Sequence, residues 1–378
     1  MIDQQLLSDA QAGDAESQFN VGVCFATNNS GDQNNDQAIF WLRKAADNNH
    51  AGAQLEFEKI LINGSGEKRN INEGLRYITR SAENGNSNAM IYLGVHNKNG
   101  DIITKDIEKS LYWFMQALTL HPDDDLLLME IGQIYVDLLK PEESTEYFDK
   151  ASDLGNPAGT VVALGVHVAL GDSLLASIPE AAYREFKLAE IMSKRLPQNV
   201  LDEDEHGAIQ QSLTAMNAGL GMVLFFGKAE GNPIPYLRKA AKAGNSFSAM
   251  LLAQHLYLNA PPEHRPELIA QSFRATSDAV RDSDTFMPFQ KCLALQYLAD
   301  FYIHGVGGAT QDHNKAYNYY NIAASIDCDF AHVAKDKLAN FRITAQYGNV
   351  SRNNDAEAQY AQRQIDQMIR KDKSSITM

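Results

Sequence analysis

Apolar and polar residues follow one another along this chain with the period of a helix that packs on one side. In the stretch from residue 87 to 120, apolar or small side chains fall at 89, 93 and 96–97, which is helical spacing. Residues 98–101, Lys-Asn-Gly-Asp, interrupt the pattern. Asp106 then precedes a second apolar stretch, where an aspartate can cap the first turn of a helix. The pattern therefore predicts a first helix, a loop and a second helix.

A short phrase recurs in the second helix of this unit. It consists of an aromatic residue, two variable residues, a basic residue and two small residues, and its copies begin at Trp41, Tyr77, Tyr147 and Tyr236, with weaker copies at Trp113 and Tyr319. The aromatic residues at 41, 77, 113 and 147 are 36, 36 and 34 residues apart. A period in this range predicts a stack of similar helical hairpins.

Small residues recur where the two helices of a hairpin must cross closely. In the first helix a glycine follows a large apolar residue five times, at Gly22, Gly94, Gly132, Gly165 and Gly221. Glycine within a helix costs about 1 kcal/mol relative to alanine, so its recurrence predicts a contact that a side chain would obstruct. The matching residues of the second helix are Ala45, Ala117, Ala151, Ala240 and Ala323, and we expect the aromatic residue four positions earlier to fill the space beside them.

The second helix also ends in a recurring way. Gly85, Gly155 and Gly244 are each followed by an asparagine, and each glycine is placed for a left-handed C-cap. The first helix of the following hairpin begins within a few residues. Short turns on both sides of each helix predict antiparallel neighbours.

This pattern resembles the Sel1-like repeat, a subclass of the tetratricopeptide-type helical repeat. The stretch from Ala294 to Ala324 follows the order of that motif closely, and the resemblance covers roughly residues 10–325. Departures include Glu58 at a glycine position and Glu185 at an aromatic position. The resemblance implies an all-α fold: a right-handed α-solenoid of about eight helix pairs closed by a C-terminal capping helix.

Two interruptions of the period suggest how the chain is divided. One contains the acidic run Asp202–Glu205 and the other spans residues 281–289. Each is either part of a longer helix with a loop or a break where the superhelix changes direction. We predict N-terminal repeats of about five helix pairs over residues 1–195 and an acidic interruption over 196–212. About three further pairs over 213–345 and a capping helix with a tail over 346–378 complete the prediction.

Charge and cysteine content narrow the range of partners. The formal net charge is −15 and the pI is near 5.1, which argues against nucleic acid and against an anionic membrane surface, and favours a partner with basic patches. Three irregularly spaced cysteines predict a reducing compartment. With no basic leader and no apolar run that approaches 18 residues, we expect neither a signal peptide nor a membrane span, and a cytoplasmic location.

No residue constellation points to catalysis or to a cofactor. The ten histidines are scattered without ligand spacing, and the glycine-rich stretches Gly64–Gly66 and Gly305–Gly308 lack the residues of a phosphate loop. The carboxylate pairs lie in predicted loops or at the starts of predicted helices. At a helix start, acidic side chains are stabilised by the helix dipole. We therefore expect no metal, no cofactor, no small-molecule substrate and no enzymatic activity.

The remaining candidate site is the concave face that the resemblance assigns to the first helices. The position after the small residue often points into that face, which gives Val23, Lys59, Val95, Gln133, Val166, Met222, His255 and Asp300 as candidate partner-binding residues. Inter-repeat packing is the competing explanation for each of them. The second candidate surface is the pair of interruptions, because insertions in a repeat array often carry specificity.

The resemblance implies a non-enzymatic scaffold or adaptor that holds a partner protein or peptide in this concave groove. Sel1-like proteins act as adaptors in degradation, bacterial signalling, secretion, host interaction and toxin immunity. One alternative is an immunity-type inhibitor of a single, basic toxin or effector, with salt-sensitive association. A hydrolase is the remote alternative, and it would require a closed pocket with a perturbed carboxylate or histidine.

Overall fold

The computed structural model describes residues 3–27, 32–63, 71–196 and 203–346. Within these ranges the chain forms helices and no strand. The helices are α1 (Gln4–Ala12), α2 (Ala15–Thr27), α3 (Asp32–Asp47), α4 (Ala51–Asn63), α5 (Ile71–Glu83), α6 (Ser87–Asn99), α7 (Ile107–Leu120), α8 (Asp125–Asp137), α9 (Pro141–Asp153), α10 (Pro157–Leu174), α11 (Pro179–Arg195), α12 (Glu203–Phe225), α13 (Ile234–Lys242), α14 (Ser246–Asn259), α15 (Arg265–Arg281), α16 (Pro288–His304), α17 (His313–Ser325) and α18 (Ala331–Gln346). The predicted all-α repeat fold is confirmed.

The chain divides into two compact units, of which the first ends at Gly159 and the second begins at Thr160. The boundary therefore lies within α10. In the first unit α2 packs on α3, α4 on α5, α6 on α7 and α8 on α9, and each pair also contacts the next. In the second unit α12 also contacts α14, α14 contacts α16, and α16 contacts α18. The first helices of successive pairs therefore form a contiguous layer in this unit.

The glycines of the first helices lie against large side chains, as the sequence predicted, at four of the five positions. A Cβ atom built on Gly94 would lie 2.7 Å from the Phe114 ring, and one on Gly132 would lie 2.7 Å from the Phe148 ring. Gly22 meets Leu42 and Gly221 meets Leu237 in the same way. All five matching alanines are fully buried: Ala45, Ala117, Ala151, Ala240 and Ala323.

Two details of this packing differ from the prediction. The side chain that packs against the glycine belongs to the residue after the aromatic residue that begins the recurring phrase. Phe114 therefore fills the space beside Gly94, whereas Trp113 is only half-buried. At Gly165, in contrast, a Cβ atom would have no other atom within 4 Å, whereas one at Gly171 would meet Phe186 at 2.6 Å. Because α10 is 18 residues long, its close contact with α11 occurs nearly two turns later than expected.

The turns between hairpins match the prediction. Gly85, Gly155 and Gly244 have φ values of 90°, 89° and 94°, a left-handed conformation that glycine adopts without steric cost. The asparagine that follows each of them caps the next helix, because its side-chain oxygen accepts a hydrogen bond from the backbone N–H three residues later. Asp106 caps α7 in the same way, at 3.0 Å from the Lys109 nitrogen.

The interruptions of the period are accommodated by helices. The acidic run enters α12, which begins at Glu203 and is 23 residues long. Residues 283–285 form a short 3₁₀ helix before α16. The longer-helix interpretation is therefore the one that the structure favours. The proposed domain boundaries, the handedness and the number of pairs stay predictions. The tail predicted to cap the array lies outside the described residues, and α18 packs against α16 and α17.

Helix α10 corrects one premise of the sequence analysis. Its 18 residues have a mean hydropathy of 1.3, so by length and composition alone it is a candidate membrane span. In the second unit it packs as a repeat helix, since Gly171 lies against Phe186 and the His167 Nδ1 atom lies 2.8 Å from a Glu185 oxygen. Of these 18 residues 44% are buried within the structure, and a single helix of this kind is weak evidence for a membrane span.

Candidate functional site

The candidate residues of the first unit lie in separate repeats. Val23 on α2 and Val95 on α6 are half-buried and pack against the hydrophobic core beside them. Gln133 on α8 is exposed, and its amide donates a hydrogen bond of 2.9 Å to Asp137. The side chain of Lys59 lies outside the described residues. Among the candidates of this unit whose side chains the structure describes, Gln133 is the exposed polar one.

In the second unit the candidate residues differ more strongly in their surroundings. Val166 and His255 are half-buried, and the His255 ring lies 6.0 Å from that of Phe225. Met222 and Asp300 are only 3% and 5% exposed. Asp300 forms an ion pair with Lys337 on α18, so it has a packing role. The roles of all eight residues in partner binding stay predictions.

Polar contacts at nearly one repeat length join helices of the first unit, both within a hairpin and between neighbouring hairpins. The Tyr77 hydroxyl donates to Asp47 at 2.6 Å, and the Ser81 hydroxyl donates to the Ala51 carbonyl at 2.8 Å. Lys98 and Glu130 form an ion pair of 2.7 Å between α6 and α8. Burial and the Asp47 hydrogen bond raise the pKa of Tyr77 to about 12, so its phenol remains a donor at neutral pH. These contacts stabilise the stack.

A cavity of about 560 Å³ lies within the second unit. Four separate segments surround it: the turn from α10 to α11, the end of α12, the start of α16 and the loop between α17 and α18. Its volume is in the range of small-ligand pockets. Met222 lies in its wall, so one of the eight sequence candidates is part of this site. His255 borders a separate, more open depression between α14 and α15.

The apolar lining of the cavity includes three aromatic rings. Phe226, Phe289 and Phe330 line it together with Met222 and Met287. The Phe330 ring lies 6.5 Å from that of Phe226 and 6.3 Å from that of Phe289. The three rings therefore form one cluster contributed by three different segments.

One carboxylate stands out among the polar residues of the cavity. Asp172 is half-buried, and burial raises its pKa to about 6. Among the described residues, none forms a hydrogen bond or an ion pair with this carboxylate. Asp327 and Asp329 line the same cavity but are exposed. The cavity also contains two basic groups, Lys228 and His332.

Sequence reasoning missed this cavity because its residues come from parts of the chain that are up to 160 positions apart. The sequence nevertheless contains a feature that indicates the cavity. Phe225–Phe226, Met287–Phe289 and Phe330 place large apolar residues next to helix ends, where a repeat needs only small or polar residues.

The described residues contain no group of three or more histidine, cysteine or acidic side chains that could hold a metal ion. Cys24, Cys292 and Cys328 are free thiols. Burial and the neighbouring Cys328 raise the pKa of Cys292 to about 12, which keeps its thiol protonated and a poor nucleophile.

The repeat motif is confirmed by comparison with known families. The Sel1 repeat model matches residues 15–50, 59–86, 87–120, 131–156 and 293–327. Five segments of the chain therefore match the Sel1 repeat. Four matched segments lie in the first unit and one in the second. Sel1 repeats generally mediate protein–protein interaction, and Sel1-repeat families are generally non-enzymatic.

Several solved structures are similar to this chain. A Sel1 repeat protein from Oxalobacter formigenes is 20% identical, with 89% of each chain covered and a TM-score of 0.41. A protective antigen of uropathogenic Escherichia coli is 16% identical, with 100% of this chain and 97% of that chain covered and a TM-score of 0.36. Yeast Tom70 is 15% identical, with 93% and 68% covered and a TM-score of 0.33. A comparison with curated protein sequences finds no match.

Proposed function

We propose that this protein is a non-enzymatic scaffold that binds a partner protein or peptide along the first helices of its repeats. The Sel1 repeats carry this proposal, because repeats of this kind generally mediate protein–protein interaction. In the second unit the first helices form a contiguous layer. Such a layer offers an extended surface that one hairpin alone would lack.

The charge of the chain supports a partner with basic patches. With a net charge of −15, the protein attracts basic surfaces over long range and accelerates their association at low salt. We extend the proposal to a cytoplasmic location, which the three free thiols support. Small-molecule turnover has no part in it.

Affinity capture from native extract, with mass spectrometry of the bound proteins, tests the proposal. The wild-type protein should retain a protein partner, and raising the salt concentration should weaken that binding. Q133R places a cation on the exposed face of a first helix, and we expect it to reduce capture of a basic partner. Q271R is the matched control, because Gln271 is exposed on α15, a second helix.

Two results would contradict the proposal. Retention of no protein by the wild type would remove its basis. Equal capture by Q133R and Q271R would show that the first-helix surface around Gln133 is not where the partner binds.

A further inference from the structure

The cavity of the second unit has a chemistry that Sel1 repeats do not require for folding. The two helices of a hairpin pack through a small residue on one helix and a single large side chain on the other, as at Gly221 and Leu237. The cavity combines a cluster of three phenylalanine rings with a half-buried carboxylate. Leaving a charged group partly desolvated is costly unless an opposite charge meets it.

We infer that this cavity binds an arginine side chain that a partner protein presents, with Asp172 as the anionic contact and the phenylalanine cluster as the apolar wall. The inference rests on the proposed function, because a partner protein has to supply the side chain. It adds a specific subsite to the second unit and a chemical class of partner.

Arginine fits both parts of the cavity. Its planar guanidinium donates paired hydrogen bonds to a carboxylate and also stacks on aromatic faces. Its aliphatic stem is apolar and packs on side chains such as Met222 and Met287. A cation near an aromatic ring is stabilised further when water is excluded. The phenylalanine cluster and the methionines that line the cavity supply these surfaces.

The charges around the cavity favour a cation overall. Three carboxylates line it, those of Asp172, Asp327 and Asp329, against the amine of Lys228 and the imidazole of His332. Asp327 and Asp329 are exposed, so they attract an incoming cation from solvent, while Asp172 is the more buried acceptor. Lys228 makes no ion pair with Asp172, since their charged atoms are not within 4.0 Å of one another. The carboxylate is therefore available to a ligand.

Binding of short fluorescein-labelled peptides, followed by fluorescence anisotropy, tests the inference. The probe is a neutral, glycine- and serine-rich peptide with one central arginine. The matched peptide carries citrulline, which has nearly the same shape without the charge. We expect the arginine peptide to bind at least about tenfold more tightly than the citrulline peptide, because a hydrogen-bonded charge pair in a partly dry site accounts for that difference. A lysine peptide should bind more weakly than the arginine peptide.

Three variants of the full chain locate the site. D172N should lose the preference for arginine over citrulline. E230Q removes one negative charge from an exposed position outside the cavity and should keep that preference. K228M should strengthen arginine binding, because it removes the competing cation. Methyl NMR signals of Met222 and Met287 should shift when the arginine peptide is added to the wild type.

Each outcome decides the question. Equal binding of arginine and citrulline peptides, no binding of either, or an unchanged preference in D172N would overturn the inference. Equal binding of lysine would overturn the choice of arginine. If D172N and the wild type capture a protein partner equally and neither prefers the arginine peptide, the scaffold function is supported and this subsite is not. A peptide preference without any captured partner would contradict the scaffold function and retain the binding site.

Discussion

Asp300 and Lys337 form an ion pair with 3.0 Å between their charged atoms, and their side chains are 7% and 18% exposed. The pair joins α16 to α18. The Tyr320 hydroxyl of α17 also donates a hydrogen bond to Asp300, so one carboxylate connects three helices. Burial and the Asp300 carboxylate raise the pKa of Tyr320 well above its usual value, which keeps the phenol protonated as a donor.

Replacing Lys337 should destabilise the second unit. K337M keeps the length of the side chain but leaves the buried Asp300 carboxylate without its cation, which costs about 2–4 kcal/mol. Urea unfolding measures the loss. The control is K335M on the same helix, where Lys335 is exposed and surface pairs contribute little. Equal midpoints for the two variants would show that the ion pair does not stabilise the packing.

A methyl group should be tolerated very differently at two glycines of the first helices. G94A places a Cβ atom 2.7 Å from the Phe114 ring, and overpacking of this kind costs about 1–3 kcal/mol. G165A has no atom within 4 Å of its Cβ position, so the helix propensity of alanine should stabilise the protein by up to about 1 kcal/mol.

Thermal unfolding of G94A and G165A tests directly whether the glycine position is a close contact between the two helices of a hairpin. Opposite shifts of the melting temperature are expected from the same chemical change. A loss of stability in G165A as large as that in G94A would indicate that α10 packs at Gly165, as the sequence alone suggested.

Leu139 should be a site of backbone strain. It has a φ of 59° and its side chain is 88% exposed, in the short connection between α8 and α9. A left-handed conformation is costly for a residue with a Cβ atom. L139G should therefore stabilise the protein by about 0.5–1 kcal/mol. L139A, which keeps the Cβ atom, should change little, and a gain equal to that of L139G would attribute the effect to the loss of exposed apolar surface instead.

Asp172 should make stability depend on pH in an unusual direction. Burial raises its pKa from 3.8 to about 6 in the folded protein, so the folded state binds the proton more tightly than the unfolded state. The cost is therefore absent below about pH 4, grows as pH rises to about 6, and is fully present above that. D172N removes it and should stabilise the protein at pH 7 by about 1–2 kcal/mol, after allowance for solvent screening.

Urea unfolding of D172N and wild type at pH 4 and pH 7 measures this dependence. The two proteins should differ at pH 7 and converge at pH 4. E230Q provides the baseline, because Glu230 is exposed. A D172N variant that is less stable than wild type at pH 7 would show that the carboxylate has a favourable partner in the folded state.

The sequence was most informative where local chemistry decides the structure. Glycine and asparagine at Gly155–Asn156 specify the end of one helix and the cap of the next, whatever packs around them. The period of the aromatic phrase predicted hairpins of the observed kind. It was less informative about which side chain is buried, because Trp113 and Phe114 are both large and apolar, and the rotation of the helix, set by its neighbours, selected Phe114.

The sequence by itself determined the repeat, its helical hairpins and the close helix contacts at the glycines. These features depend on residues within a few turns of one another. Tertiary structure decided the rest. It placed Asp172 among phenylalanines from three distant segments, and it turned Asp300 from a surface candidate into a buried partner of Lys337. Such placements depend on how hairpins stack across long stretches of chain, and no local pattern encodes the resulting burial of a charge.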